Sequence, residues 1–483
     1  MFPKSFTRLT FMAPGLLAAL LLTACGGGGG CGNDCGASTG DAYPIANPDL
    51  NTLPPSSGYA NICTAEPWLA EKSFVLTYMN ENYLLYNAMV PPIYESVPVL
   101  VGSVEDYFYA LLSNFPTSGN LPSTHPFDDH YSYAIPTYLA NSLDSGYSPG
   151  GYGFSWVTDR NGNQRVAYVQ PGSRAASANM KRGGVLSGGF GAGAMNHPYT
   201  ANGMYPYTVN GSATFSYQDP GSAARSITLN AAPFQEDPVP VVASFTSVPG
   251  HKVGYVLFLN HSSISQDRLI KEFTTNPNLQ GITDLVLDLR YNEGGFVYAA
   301  QSLASMIAGS GVKGRTFEQQ TYNGKVPNVT LPFTSTVTWV PGISSLPGGY
   351  NSNANKAIYP IGTALPALNL KRVYVLTSDL TASASESLIN ALRGVDVSVV
   401  QIGTLTYGKP YGSNRRDNCG EAFFPIQYQG FNDKGFGDYG GGFTPTCLVH
   451  DDFNNPLGNP NEALLNAALG YVATGQCPGT ISQ

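Results

Sequence analysis

The sequence predicts a multi-domain α/β protein with a helical N-terminal part, a β-rich middle and a C-terminal α/β domain built on a mostly parallel sheet. Three observations carry this expectation. At 483 residues the chain is too long for one ordinary core. Arg372 to Ile402 reads as a short strand, a turn of small hydroxylated residues, a helix with Leu388, Ile389 and Leu392 at helical spacing, and a second strand. A strand, helix, strand unit of that length makes two parallel strands with a right-handed crossover. The composition agrees: 42% hydrophobic residues suffice for packed cores, while 12% charged residues with 55 Gly, 36 Pro and 30 Tyr lean towards β-containing, exported proteins.

Taken in order, Lys4 and Arg8 form a positive start, and Phe11 to Leu22 is an apolar stretch too short for a comfortable membrane span. It ends in Leu22-Thr23-Ala24-Cys25, which resembles a bacterial lipoprotein signal. That resemblance implies a signal peptide over 1–24, cleavage before Cys25 and lipid on Cys25; an ordinary secretion signal cut nearby is the alternative. The protein is thus expected to be exported and lipid-anchored to the cell envelope. Gly26 in place of an aspartate favours the outer membrane where the host has two. Residues 25–62, rich in Gly, Ser and Pro, read as a flexible tether. Loss of Lys4 and Arg8 takes the formal charge of −8 further negative, which removes any electrostatic reason to bind nucleic acid.

Six cysteines remain besides Cys25: Cys31, Cys35, Cys63, Cys419, Cys447 and Cys477. In an exported protein an even number suggests disulfides, and Cys419 to Cys447 is the expected bridge, within the Gly-rich region after Lys409. Cys31 and Cys35 lack the second pair that a zinc site needs, and no metal or other cofactor is expected.

Residues 63–145 form the helical part. Trp68, Leu69, Val75, Leu76, Met79, Tyr83 and Tyr86 mark one helical face, and Ser103-Val-Glu-Asp106 is a variant capping box opening a second helix. Residues 146–240 change texture, with strands expected at Phe154 to Thr158, Arg165 to Val169 and near Ser226 to Leu229. Their order resembles a PDZ domain, which implies a peptide-carboxylate loop at Gly151, Gly153 and Phe154. Residues 250–477 form the α/β domain. Val253 to Leu259 is its first strand, and Ile282 to Leu289 is a buried strand leading through Gly294-Gly295 to a helix. Residues 310 to 370 are an irregular β-containing excursion, and the stretch from Asn461 is a helix packing back on the sheet.

The chemistry gathers where strands of that sheet end. Ser383 lies between a strand and a helix, and Lys409 lies past the next strand, so both emerge on one edge. A lysine desolvated beside a serine can take its proton, the serine can attack a carbonyl, and the Ala384 N–H at the helix start can hold the oxyanion. Paired glycines at 294 and 295 let backbone approach a ligand from the other wall.

Asp288-Leu-Arg-Tyr-Asn-Glu-Gly-Gly295, Thr381-Ala-Ser-Ala-Ser-Glu386 and Tyr407-Gly-Lys409 together resemble the signature segments of the C-terminal processing peptidases, or tail-specific proteases. The resemblance implies a serine endopeptidase acting on extended or unfolded polypeptides, with Ser383 as nucleophile, Lys409 as general base, and oxyanion donors at Ala384 and at Gly294 or Gly295. Ser385 is the alternative nucleophile. The chain departs from the family in two places: Ser413 stands where many members have a glutamine that orients the lysine, and Glu293 replaces the proline before the glycine pair. Glu386 reads as helix capping and Arg290 as a structural ion pair.

None of the six histidines makes a metal-binding pair, which speaks against a metallopeptidase, although a Ser-His-Asp arrangement with His261 or His450 is a possible geometry. Two rival classes remain: a lipid-anchored module that keeps the protease fold and binds peptides without cutting, and a carbohydrate-binding lipoprotein suggested by the tyrosine content.

Overall fold

A computed structural model describes residues 50–64, 69–89, 103–112, 129–186, 211–340 and 358–478. The signal peptide, Cys25, Cys31, Cys35 and most of the tether lie outside the described residues. Among those described, no helix is long and apolar enough to cross a membrane, and no group of side chains could hold a metal ion.

The chain folds as mixed α/β with several sheets, and the largest has six strands. Across it run Cys447–Leu448, Ser398–Gly403, Arg372–Thr377, Asp284–Asp288, Val253–Leu257 and Val241–Phe245; only the last is antiparallel to its neighbour. The parallel strands are buried on both faces, which is why they read as unbroken apolar runs. Alternate side chains serve two cores. Leu285 and Leu287 meet Leu303, Ile307, Leu388 and Leu392 from the helices Val297–Ala308 and Ala384–Gly394. Val286 and Tyr374 face the other way, against Leu465 and Leu469 of the helix Ala463–Thr474. Register aligns Leu257 with Asp288, Asp288 with Leu376, and Leu376 with Ile402, so the following turns leave from one edge.

The second N-terminal helix opens as expected, but the first departs from the expected single face: it ends at Asn82, before Tyr83 and Tyr86, and buries Lys72, Thr77 and Asn80 along with its apolar residues. Leu69–Asn82 buries Phe74, Val75 and Met79, and Ser103 caps Val104–Ala110 through a reciprocal pair of bonds with Asp106, at 3.0 and 3.1 Å. Their core is completed by Phe423 and Ile426 from beyond Lys409. The strand Tyr133–Pro136 likewise pairs with Glu421–Phe424. The middle of the chain is a five-stranded antiparallel meander, Phe154–Thr158, Gln164–Val169, Val185–Leu186, Ser212–Gln218 and Arg225–Asn230. The excursion after residue 310 supplies Thr316–Tyr322 and Val329–Pro332 to a four-stranded sheet shared with Tyr428–Phe431 and Tyr411–Gly412.

The expected Cys419 to Cys447 bridge is not formed. Cys419 pairs with Cys63 and Cys447 with Cys477. Cys419 and Gly420, with φ of 48° and 92°, make the two-residue turn of the hairpin Arg416–Asn418/Glu421–Phe424, which is paired to the N-terminal part and so faces Cys63. Cys447 belongs to the edge strand of the main sheet, and Cys477 follows the helix that covers that sheet.

Candidate active site

Three turns meet at the C-terminal edge of the main sheet, and hydrogen bonds stitch them together. Thr381 Oγ1 donates to the Leu289 carbonyl at 2.9 Å, Ala382 N–H to the Asn292 carbonyl at 3.2 Å, and Tyr407 N–H to the Thr381 carbonyl at 3.0 Å. Ser383 sits at the centre, partly exposed, with φ 55° and ψ −118°. Ser385, by contrast, is fully buried and donates to the Asn292 carbonyl at 3.0 Å.

Glu386 joins the serine turn to the lysine turn. Its buried carboxylate accepts from Ser383 N–H at 3.1 Å, Thr406 Oγ1 at 2.6 Å, Gly408 N–H at 2.7 Å and Lys409 N–H at 2.8 Å. Burial pushes this carboxyl up from its ordinary value, and the four donors pull against that. The sequence reading of Glu386 as a helix cap found one of these bonds and missed the other three. Asp288 to Glu462 and Asp451 through Arg290 is a buried ion network, in keeping with a structural role for that arginine.

Lys409 Nζ donates to the Tyr131 carbonyl at 3.4 Å and lies 5.6 Å from the centre of the Tyr133 ring. Burial draws its ammonium down to about 8, against the opposing pull of Asp129 and Glu386. Ser413 turns away from Lys409 in its bonding and donates to the Phe424 carbonyl at 3.4 Å.

The glycine pair forms the opposite wall. Gly294 has φ 105°, and a side chain on it would come within 2.8 Å of Ser383 Cβ and 3.0 Å of the Ala384 nitrogen. Its N–H is taken by Asn292 Oδ1 at 3.0 Å. Gly295, exposed and with φ 130°, meets His261 in a parallel bridge made by His261 N–H to the Gly294 carbonyl and Phe296 N–H to the His261 carbonyl. Neither bond uses the Gly295 N–H. The Ala384 N–H is at the first helical residue, where no intrahelical acceptor exists.

His261 is fully buried, bonded to Asn292 Oδ1 at 3.0 Å, and burial lowers its imidazole to about 4. His450 is exposed. Gly151 ends a strand paired with Ala232–Gln235, Gly153 lies close against Ser173, and Phe154 is in the core of the meander. Sequence reasoning gave no role at the site to Asn292 or to the Asp129–Ser132 turn, which it read only as the junction before the next domain. Both are Asp or Asn residues whose side chains accept from backbone two residues on, a signal that the residue type alone carries.

Residues 252–435, which include most of this region, match the model of peptidase family S41. Among solved structures, a Bacteroides fragilis protein assigned to the S41 proteases aligns at 23% identity and a TM-score of 0.57, over 83% of this chain and 97% of its own. The photosystem II D1 C-terminal processing protease aligns at 18% identity and a TM-score of 0.46, over 79% and 92%. The comparison with curated proteins returns no match. The matched span includes the glycine wall, the serine turn and the lysine turn, while Tyr131, which meets Lys409, lies before it.

Proposed function

We propose that the protein is an exported, lipid-anchored serine endopeptidase of the C-terminal processing type, working by a Ser383/Lys409 dyad. The observation that carries the reading is Glu386, whose one carboxylate holds the backbone N–H groups of both residues and so locks the two turns in one arrangement. In this reading neutral Lys409 accepts the Ser383 proton as the hydroxyl attacks the peptide carbonyl, and later returns it to the leaving amine. The N–H groups of Ala384 and Gly295 receive the oxyanion. A lysine drawn down to about 8 supports this, because an appreciable fraction is neutral near physiological pH. Extended polypeptides are the substrates, and Leu22-Thr-Ala-Cys25 supports the anchor.

The test is cleavage of unfolded casein by the full chain. Ser383→Ala and Lys409→Ala are expected to lose at least about 1,000-fold in rate with folding intact by circular dichroism. Ser385→Ala is expected to keep cleavage and lose about 1 kcal/mol of stability, the worth of its bond to Asn292. Cleavage that survives in Ser383→Ala and disappears in Ser385→Ala would move the nucleophile. Fatty-acid labelling that persists in Cys25→Ala would remove the anchor from the reading.

A further inference from the structure

The base of a serine/lysine pair has to present a lone pair to the serine, and a lysine on four flexible methylenes does so only if something fixes its nitrogen. Ser413 does not serve, since it bonds Phe424. The group that meets Lys409 Nζ comes from 278 residues away, in the turn that joins the N-terminal helices to the rest of the chain.

We propose that Tyr131 is the positioning residue of Lys409, and that the Asp129–Ser132 turn is its mount. The inference rests on the reading of Lys409 as the base. A carbonyl oxygen can only accept, so a neutral amine bonded to Tyr131 does so through an N–H and keeps its lone pair for another partner. A side chain able to donate would occupy the lone pair instead.

The mount is held from four sides. Asp129 is buried, and its carboxylate accepts from Tyr131 N–H at 2.9 Å, Ser132 N–H at 3.0 Å, Ser132 Oγ at 2.7 Å and Tyr83 Oη at 2.7 Å. Ser132 Oγ in turn accepts from Ile426 N–H at 2.9 Å. The Tyr131 phenol closes a second link by donating to the Gly408 carbonyl at 2.7 Å, the residue before the lysine. Burial pushes that phenol up, so it stays a donor. Tyr131 thus grips the lysine turn by its side chain and the lysine nitrogen by its backbone. Tyr411 packs on its ring at 5.4 Å and Tyr407 at 6.1 Å. The charged groups that act on Lys409 are Asp129 and Glu386, with the Tyr133 ring near its nitrogen; His130, Tyr407 and Tyr411 pack around Tyr131, and Glu293 acts on Tyr407.

The experiment follows casein cleavage by the full chain over a pH range of about 6 to 10, spanning the lysine's titration. It compares wild type with Lys409→Ala, Tyr131→Phe, Asp129→Asn and His130→Ala. Tyr131→Phe is expected to lower kcat about tenfold with KM changed less than about twofold, because the carbonyl loses its second tether. Asp129→Asn removes a negative charge that favours the ammonium, so the acidic limb is expected to move to lower pH by about half a unit. A purely structural role would reduce the amount of active protein and leave the limb in place.

Wild-type kcat and limb in both variants, with Lys409→Ala inactive, overturn the positioning role and leave the base assignment standing. Full activity in Lys409→Ala, a limb that vanishes in His130→Ala, or no cleavage by wild type overturns both. If Asp129→Asn does not fold, the kcat and KM of Tyr131→Phe decide alone.

Discussion

Ser383 occupies a backbone region that side chains other than glycine rarely enter, with φ 55°. Such strain costs on the order of 1–3 kcal/mol and persists only where surrounding contacts over-determine it. Here the contacts are the bonds of Thr381, Ala382 and Glu386 on either side. Lys409 stores free energy in a different form. Its ordinary value of 10.5 falls to about 8 through burial. Below pH 8 the folded chain must hold a desolvated ammonium, and between about 8 and 10.5 it sheds its proton before the unfolded chain does, so stability rises with pH across that window. Lys409→Met is therefore expected to melt a few degrees above wild type at neutral pH, a gain of about 1–2 kcal/mol after allowance for partial exposure. The advantage should shrink towards pH 10. A thermal melt series over pH measures it, and a variant less stable than wild type at pH 7 would contradict the account.

At the scale of elements, parallel strands deliver three turns to one edge, but nothing in a sheet sets the distance between the turns. Glu386 does, by taking donors from the serine turn and from three residues of the lysine turn. A glutamine there would present N–H groups to at least one of those donors. Glu386→Gln is expected to cost on the order of 2–3 kcal/mol in a urea titration and to slow casein cleavage at least about tenfold. Loss of the charge should also move the acidic limb of activity downwards, since Glu386 favours the ammonium of Lys409. An unchanged urea midpoint would mean that the four bonds are weaker than their lengths suggest.

Over the whole molecule, the N-terminal helices and the segment after Lys409 make one core although they stand at opposite ends of the chain. Phe423 and Ile426 lie among Phe74, Phe108 and Tyr131, and Cys63 bonds Cys419 across a separation of 356 residues. This joint carries Tyr131 to the lysine. Replacing Cys63 and Cys419 together by serine is expected to lower stability by about 2–5 kcal/mol, read as a lower melting temperature. The corresponding change at Cys447 and Cys477, which close only 30 residues, should cost less. Equal losses would indicate that native-state contacts, and not loop closure, dominate both bridges.

The sequence by itself determined the parallel sheet, the helices at Leu69, Val297 and Ala384, the capping box at Ser103, and the convergence of the turns that carry Ser383, Lys409 and the glycine pair on one sheet edge. These follow from hydrophobic periodicity and from the handedness of crossovers, which are local or topological and so are written in short stretches of residues. Only the tertiary structure decided that the Gly294 N–H is taken by Asn292 while the bridge of Gly295 to His261 leaves the Gly295 N–H out, that Ser385 is buried, that Cys419 turns to Cys63, and that Tyr131 and Glu386 meet the lysine turn. Each of those depends on the placement of one backbone group or side chain against another remote in sequence, and residue spacing carries no information about such a distance.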